Sequence, residues 1–427
     1  MEILIKNCNL ISMDASRPKI EYGIDILINN DKFEKIDKNI VASSKYKVID
    51  ATDKYVLPGL INTHSHIAMS IFRECVDGYT TQDWLTEKIW PIEDQLTEDD
   101  IYHSCLLSCA EMIKSGTTTV NDQYFFPDSI IKAVLKSGMR AELTRVVMDA
   151  GGGMDNRFTE LESLIKKYNL KYDNIYISVG IHGLYTASKN CIDKAILLAK
   201  ENNLNIHMHY LENAQELSDI YNNYNSKNPY EVVEENFENT NSIFAHCVKL
   251  EEEDFKLFSK YNIKVAHCPI SNLKLGCGIA NVPKMLENGI IVSLGTDGQG
   301  SGCNLDMFET MKFTGLLQKG LNEDPTLLPS YEILKMATLN GAKALNKENI
   351  LGSITENKKA DLIILDLSNI NLQPINDIFS DIVYNAKGEN VETTIVGGNI
   401  LMENRKLLTL NENEIIKNCT NILNKYN

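Results

Sequence analysis

LPGLINTHSH, residues 57–66, decides how the rest of the chain is read. It is an apolar run that ends in two histidines one residue apart. Side chains on a strand alternate faces, so residues two apart point the same way. His64 and His66 can therefore aim into one cavity and share a metal ion. The stretch also marks a change of texture. Upstream, EILIKNCNLI (2–11) and GIDILINN (23–30) read as short strands with Asn and Asp at the turns. Downstream, strand-like runs alternate with helical patterns.

The downstream strands are, after 57–66, TTTVND (117–122), RAELTRVV (140–147), IYISVGIHG (175–183), NIHMHYLE (205–212), SIFAHCV (242–248), IKVAHCP (263–269) and IIVSLGTDG (290–298). A first long helix is predicted from the N-cap Thr97, followed by Glu98, Asp99 and Asp100, to Lys114, with Gly116 closing it. Others follow at DSIIKAVLKSG, LESLIKKY, CIDKAILLAKEN, EEDFKLFSKY and VPKMLEN. Alternating strands and helices imply parallel pairing, and eight such strands suggest a closed barrel. An open doubly wound sheet would want a Gly-rich phosphate turn after an early strand; Gly151, Gly152 and Gly153 lack that spacing. Beyond residue 350 the strand texture of the opening returns. The fold expected is α/β: a TIM-like (β/α)8 barrel over 58–349, beside a small β-sandwich built from both termini, 1–57 with 350–427.

Bulk properties narrow the function. A net charge of −16 repels phosphate backbones and argues against nucleic acid as a partner. No apolar run approaches the roughly 18 residues that span a bilayer. The opening residues alternate polar and apolar and lack a signal-peptide core. The ten cysteines are scattered without a Cys-x-x-Cys pair, so most are expected to be buried thiols in a cytoplasmic setting. A homo-oligomer is left open.

The chemistry gathers at the strand ends, where barrel enzymes keep it. Seven of the eight histidines lie there: His64, His66, His182, His207, His209, His246 and His267. Asp122, Arg145 and Asp297 end three further strands. His64, His66, one histidine of the strand-five pair (His207 or His209) and Asp297 make a three-nitrogen, one-oxygen set. That set suits Zn²⁺ or Fe²⁺ with a water whose pKa it lowers. Asp297 can take that water's proton. Glu212, three residues past His209, is placed to protonate a leaving group or ring nitrogen. His246 can polarise an intermediate, and His182 can touch substrate. His267 reads equally well as part of a structural turn.

PGLINTHSH, the glutamate after the strand-five histidines, AHC (245–247), HCPISNLKLGCGIA (267–280) and LGTDG (294–298) together resemble the amidohydrolase superfamily. With DWLTEKIWPIEDQLTEDD (83–100), the chain most resembles its 5-methylthioadenosine/S-adenosylhomocysteine deaminases. The resemblance implies that His64, His66, His209 and Asp297 bind one zinc ion, with iron or manganese as alternatives. Strand four lacks the lysine that two-metal members use as a bridge. It implies proton work for Glu212, His246 and Asp297, and a small purine nucleoside as substrate. Glu93 would contact ribose hydroxyls, and Trp84 and His182 the nucleoside. Arg145 and Arg157 would reach its far end, where paired guanidiniums suit a carboxylate.

Three stretches depart from that pattern: His182-Gly183-Leu184-Tyr185 where His-x-Pro-Tyr is usual, HYLEN (209–213), and GQGSGCNLDMF (298–308) in place of Ser-Asn-Asn. All flank the pocket and bear on substrate identity. The implied reaction is hydrolytic deamination of the adenine ring of S-adenosylhomocysteine, methylthioadenosine or adenosine. Its rivals are deamination of a free base (guanine, cytosine or an oxidised purine), triazine hydrolysis, and a non-catalytic scaffold. The last is disfavoured because the full ligand set is present.

Overall fold

The computed structural model describes residues 2–73 and 77–426. The chain passes between its two sheets at Pro58–Gly59. Tyr55–Pro58 pairs antiparallel with Leu362–Leu365 in one sheet; Leu60–Ser65 opens the other. The crossing needs a glycine: a Cβ at Gly59 would lie 2.1 Å from the Thr118 side chain.

The second sheet is the barrel. Its strands are β1 (Leu60–Ser65), β2 (Thr117–Tyr124), β3 (Arg140–Val147), β4 (Val179–Gly183), β5 (Ile206–Tyr210), β6 (Ser242–His246), β7 (Lys264–His267) and β8 (Val292–Leu294), hydrogen-bonded in that order and parallel throughout. Ile175–Ile177 continues β4 backwards across a break at Ser178. Nearly every strand residue is buried, as both faces of a barrel strand must be.

The seam between β8 and β1 is closed differently. Thr63 Oγ1 donates to the Leu294 carbonyl at 2.9 Å, Asn62 Nδ2 to Thr296 Oγ1 at 2.7 Å, and the Asp297 N–H to the His64 carbonyl at 3.0 Å. The last bond ties two expected site residues together through backbone. Inter-strand register does the same elsewhere, setting Tyr124 beside Arg145, Gly183 beside His209 and Tyr210 beside His246.

Strands from both chain ends, within 2–58 and 362–407, form the other sheet, mostly antiparallel. It has an apolar core of its own, including Ile3, Ile5, Ile24, Ile26, Phe33, Leu362 and Ile395. The expected helix is Glu98–Lys114, capped by Thr97 and Asp100 in a reciprocal box. Two helices beyond residue 350 escape the sequence reading. Ile378–Tyr384 packs on Met307–Leu321, and Glu412–Tyr426 on Glu98–Lys114, where Lys425 reaches Asp100 at 2.9 Å. Eight described cysteines are buried thiols and Cys303 is half-buried; Cys75 lies outside the described residues. Among the described residues no helix is long and apolar enough to cross a membrane.

Candidate active site

At the barrel mouth His64 Nε2 and His66 Nε2 stand 3.5 and 3.2 Å from Asp297 Oδ1, and His209 Nε2 stands 3.2 Å from His66 Nε2. Zinc–nitrogen bonds of about 2.0–2.1 Å would set tetrahedral ligands about 3.3–3.4 Å apart, so the spacing fits. What lies behind each ring fixes its proton. His66 Nδ1 donates to the Gln123 carbonyl and His209 Nδ1 to the His182 carbonyl, both at 2.7 Å. A carbonyl only accepts, so each ring in its neutral form turns a bare Nε2 lone pair to the centre. His64 Nδ1 lies 2.8 Å from His207 Nε2, and His64 Nε2 is buried with no hydrogen-bond partner among the described residues. An orphaned nitrogen between two imidazoles and a carboxylate suits a cation. Two overlapping donor groups share His64: one with His66 and His209, the other with His246 and Asp297.

Burial works against the charge on Asp297, yet the His64 and His66 contacts hold its carboxyl well below the usual range. Its Oδ2 accepts the hydroxyls of Ser271 at 2.6 Å and Ser301 at 2.7 Å; Oδ1 accepts the Gly298 N–H at 2.8 Å. His246 Nδ1 donates to Asn272 Oδ1 at 2.9 Å and lies 3.8 Å from Glu212 Oε1. Burial pushes the Glu212 carboxyl up, toward its protonated form. The backbone around these groups is strained. Leu211, His246, Cys247 and Asp297 have φ of 49°, 71°, 52° and 62°, in the left-handed region that ordinary residues avoid.

The remaining expected residues are placed unevenly. His182 stacks edge-on to His209, ring centroids 5.0 Å apart, and its Nδ1 meets Thr186 Oγ1 at 2.9 Å. Glu93 accepts the hydroxyl of Tyr124, whose ring is 6.2 Å from that of His66. Trp84 is buried beside the atypical loop: a Cβ at Gly300 would come within 3.0 Å of its indole. Its N–H has no partner among the described residues. A π-helical turn, Leu85–Ile89, separates Trp84 from Glu93.

The arginines do not join the cluster. Arg145 Nε pairs with Glu160 at 2.5 Å beneath the Phe125 ring, in a cleft of about 510 Å³ also lined by Phe126, Asp128 and Lys167. Arg157 donates to the Met148 carbonyl at 2.7 Å. His267 is buried, with neither ring nitrogen partnered among the described residues. Sequence reasoning named His207 only as an alternative ligand and not as the ring behind His64, and it missed Asn272 behind His246, and Ser271 and Ser301 behind Asp297. His207 showed in its His-x-His spacing, and the others sat in quoted motifs without a pattern to mark them.

Residues 55–401 match the amidohydrolase family. A 5-methylthioadenosine/S-adenosylhomocysteine deaminase of Caldanaerobacter subterraneus is 38% identical over 96% of this chain and 95% of its own length. A 5'-deoxyadenosine deaminase of Methanobrevibacter smithii is 41% identical over 92% of this chain and 91% of its own. Among solved structures, an adenosine deaminase of Xanthomonas campestris with bound zinc superposes with a TM-score of 0.95 at 26% identity, covering 99% of this chain and 98% of that one. With the eight-stranded barrel and the converging imidazoles, these matches establish that the chain belongs to the amidohydrolase family.

Proposed function

We propose that this centre holds one zinc ion and that the chain removes the amino group from the adenine ring of S-adenosylhomocysteine, 5'-methylthioadenosine or adenosine, giving the inosyl product and ammonia. The observation that carries the reading is the meeting of imidazole nitrogens and the Asp297 carboxylate beside a buried glutamate and His246. Deaminase relatives matching nearly the whole chain support the reaction type. His64, His66, His209 and Asp297 would hold the ion. Bound there, a divalent ion lowers the pKa of water and so supplies a nucleophile near neutral pH.

The residues do the rest. As water adds to C6, Asp297 accepts its first proton and Glu212 gives a proton to N1. His246, its Nδ1 committed to Asn272, offers the Nε2 lone pair to the new C6 hydroxyl. Asp297 returns its proton to the amino group, which leaves as ammonia. The hydroxyl proton passes to Glu212 as the carbonyl forms, and the enzyme is restored.

In the same reading Glu93 takes the ribose hydroxyls, His182 and Trp84 contact the nucleoside, and Arg145 and Arg157 serve its far end. Arg145 would have to share its guanidinium with Glu160. A cytoplasmic location completes it. The test is an ultraviolet assay of zinc-loaded protein with the three nucleosides and with free adenine, guanine and cytosine. Turnover of at least one nucleoside is expected. Activity on free bases alone would overturn the substrate class.

A further inference from the structure

Glu216 lies outside the roles assigned above, yet it sits directly behind Glu212. It is the third residue of the helix Ala214–Asn223, whose N-cap is Asn213. A glutamate there ordinarily reaches back to the N-cap N–H and stays wet. This one completes that reciprocal box with Asn213, but it is buried and reaches further. Its shorter bond goes one residue further back: Oε1 accepts the Glu212 N–H at 3.0 Å and the Asn213 N–H at only 3.4 Å. Its side chain is 3% exposed, and Oε2 is buried without a hydrogen-bond partner among the described residues. The charged group that bears on it is Glu212, from the same loop.

Burying a carboxyl with one bare oxygen costs free energy that a simple helix cap does not require. The cap could be made by Asn213 alone, whose side chain already accepts the Gln215 and Glu216 N–H groups. Glu212, in turn, follows Leu211, held at φ 49°; the Leu211 carbonyl of their shared peptide accepts the Val248 and Lys249 N–H groups at 2.9 and 3.0 Å, and Glu216 supplies the bond on the N–H side of that peptide. Its own carboxyl must stay near His246, 3.8 Å away, and near the ring nitrogen it serves.

We propose that Glu216 is the positioning residue of the proton donor, fixing the Glu212 peptide so that its carboxyl points into the mouth; this rests on the deaminase reading above. Burial first, and then any charge on Glu212, push the Glu216 acidity to about 8, and in either protonation state its Oε1 accepts the Glu212 N–H. A glutamine can replace such a group, because its side-chain carbonyl still accepts an N–H. An alanine cannot.

The experiment compares Glu216→Gln, Glu216→Ala and Asn213→Ala in zinc-loaded full-length protein, with methylthioadenosine, adenosine and S-adenosylhomocysteine as probes. In Glu216→Ala, kcat is expected to fall about 100-fold with KM within a factor of about three, since a misplaced catalytic group costs chiefly rate. Glu216→Gln should recover most of the loss. Asn213→Ala should lower the unfolding midpoint while leaving kcat near wild type. Glu216→Ala with wild-type kcat, or Glu216→Gln as poor as Glu216→Ala, would overturn the anchor. Equal losses in Asn213→Ala and Glu216→Ala would reduce Glu216 to a helix cap. If the wild-type protein turns over none of the three nucleosides, the deaminase reading fails instead. The anchor is then read from structure: the Glu212 amide should lose protection from hydrogen exchange in Glu216→Ala but not in Asn213→Ala, and equal protection in both would sink it.

Discussion

The barrel mouth and the sheet made from the chain ends handle difficult backbone in opposite ways. In the sheet region, positive φ falls mainly on Asn and Asp (Asn7, Asn30, Asn39, Asp53 and Asn404), types that tolerate it because a short polar side chain can bond locally, with Met13 and Arg405 as exceptions. At the mouth it falls on Leu211, His246, Cys247 and Asp297. Leu211 and Cys247 are not types that adopt it readily. The mouth also buries His64, His207, His209, Glu212 and Asp297, while the sheet buries Ile3, Ile5, Ile26 and Phe33. One region is assembled for stability and the other around a charge that its own side chains do not supply. The difference teaches where each kind of damage should appear. Mouth substitutions should strike activity and metal content; sheet substitutions should strike folding alone.

Asp297→Asn should produce the largest effect. The amide keeps the volume but loses the charge that faces His64 and His66 at 3.5 and 3.2 Å. A loss of several kcal/mol of charge stabilisation, about 10³-fold or more in kcat/KM, is expected, with zinc content well below one per chain. Full metal occupancy and near-normal turnover would erase the distinction between the regions. The opposite probe is Ile26→Ala. Ile26 is fully buried in the sheet's own core, so truncation should cost about 2–5 kcal/mol by denaturant titration. Turnover per folded, zinc-loaded molecule should stay unchanged. A drop in kcat would mean that the sheet does more than support the barrel.

Much of this contrast was legible in the sequence. The barrel was readable because strand-like runs alternate with helical patterns, and the site because those runs end in a histidine, aspartate or arginine that a core would reject. Thr97 and Asp100 announced the helix Glu98–Lys114 through local chemistry alone. What could not be read depends on partners far away in the chain. Whether His207 or His209 faces the centre is a matter of height within the barrel, which spacing does not encode. Asn272, Ser271 and Ser301 matter because of which atoms they meet, not because of their pattern. Arg145 looked free to reach a substrate because its partner Glu160 lies on the next helix, 15 residues away. The helix Glu412–Tyr426 buries only Ile415, Cys419 and Ile422, a narrow stripe that the strand-like stretches before it obscured.

The smallest of the predicted effects concerns His207 and sharpens the comparison most. It is as buried as any sheet isoleucine, and burial holds its ring well below the ordinary histidine acidity, so it is neutral. By burial alone it belongs with the core. By contact it belongs with the mouth, because its Nε2 lies 2.8 Å from His64 Nδ1. Accepting that proton is what leaves His64 Nε2 bare for the ion. His207→Leu fills similar space and removes the acceptor. If His207 is only packing, chelator competition should give wild-type zinc affinity. If it fixes the His64 tautomer, zinc affinity should fall about 10- to 100-fold, as when the partner behind a ligating histidine is removed. Turnover at saturating zinc should recover most of its wild-type value, because the ligand itself is still present. His207→Gln, which restores an acceptor, should then lie between the two. An unchanged affinity in His207→Leu would return this residue to the core.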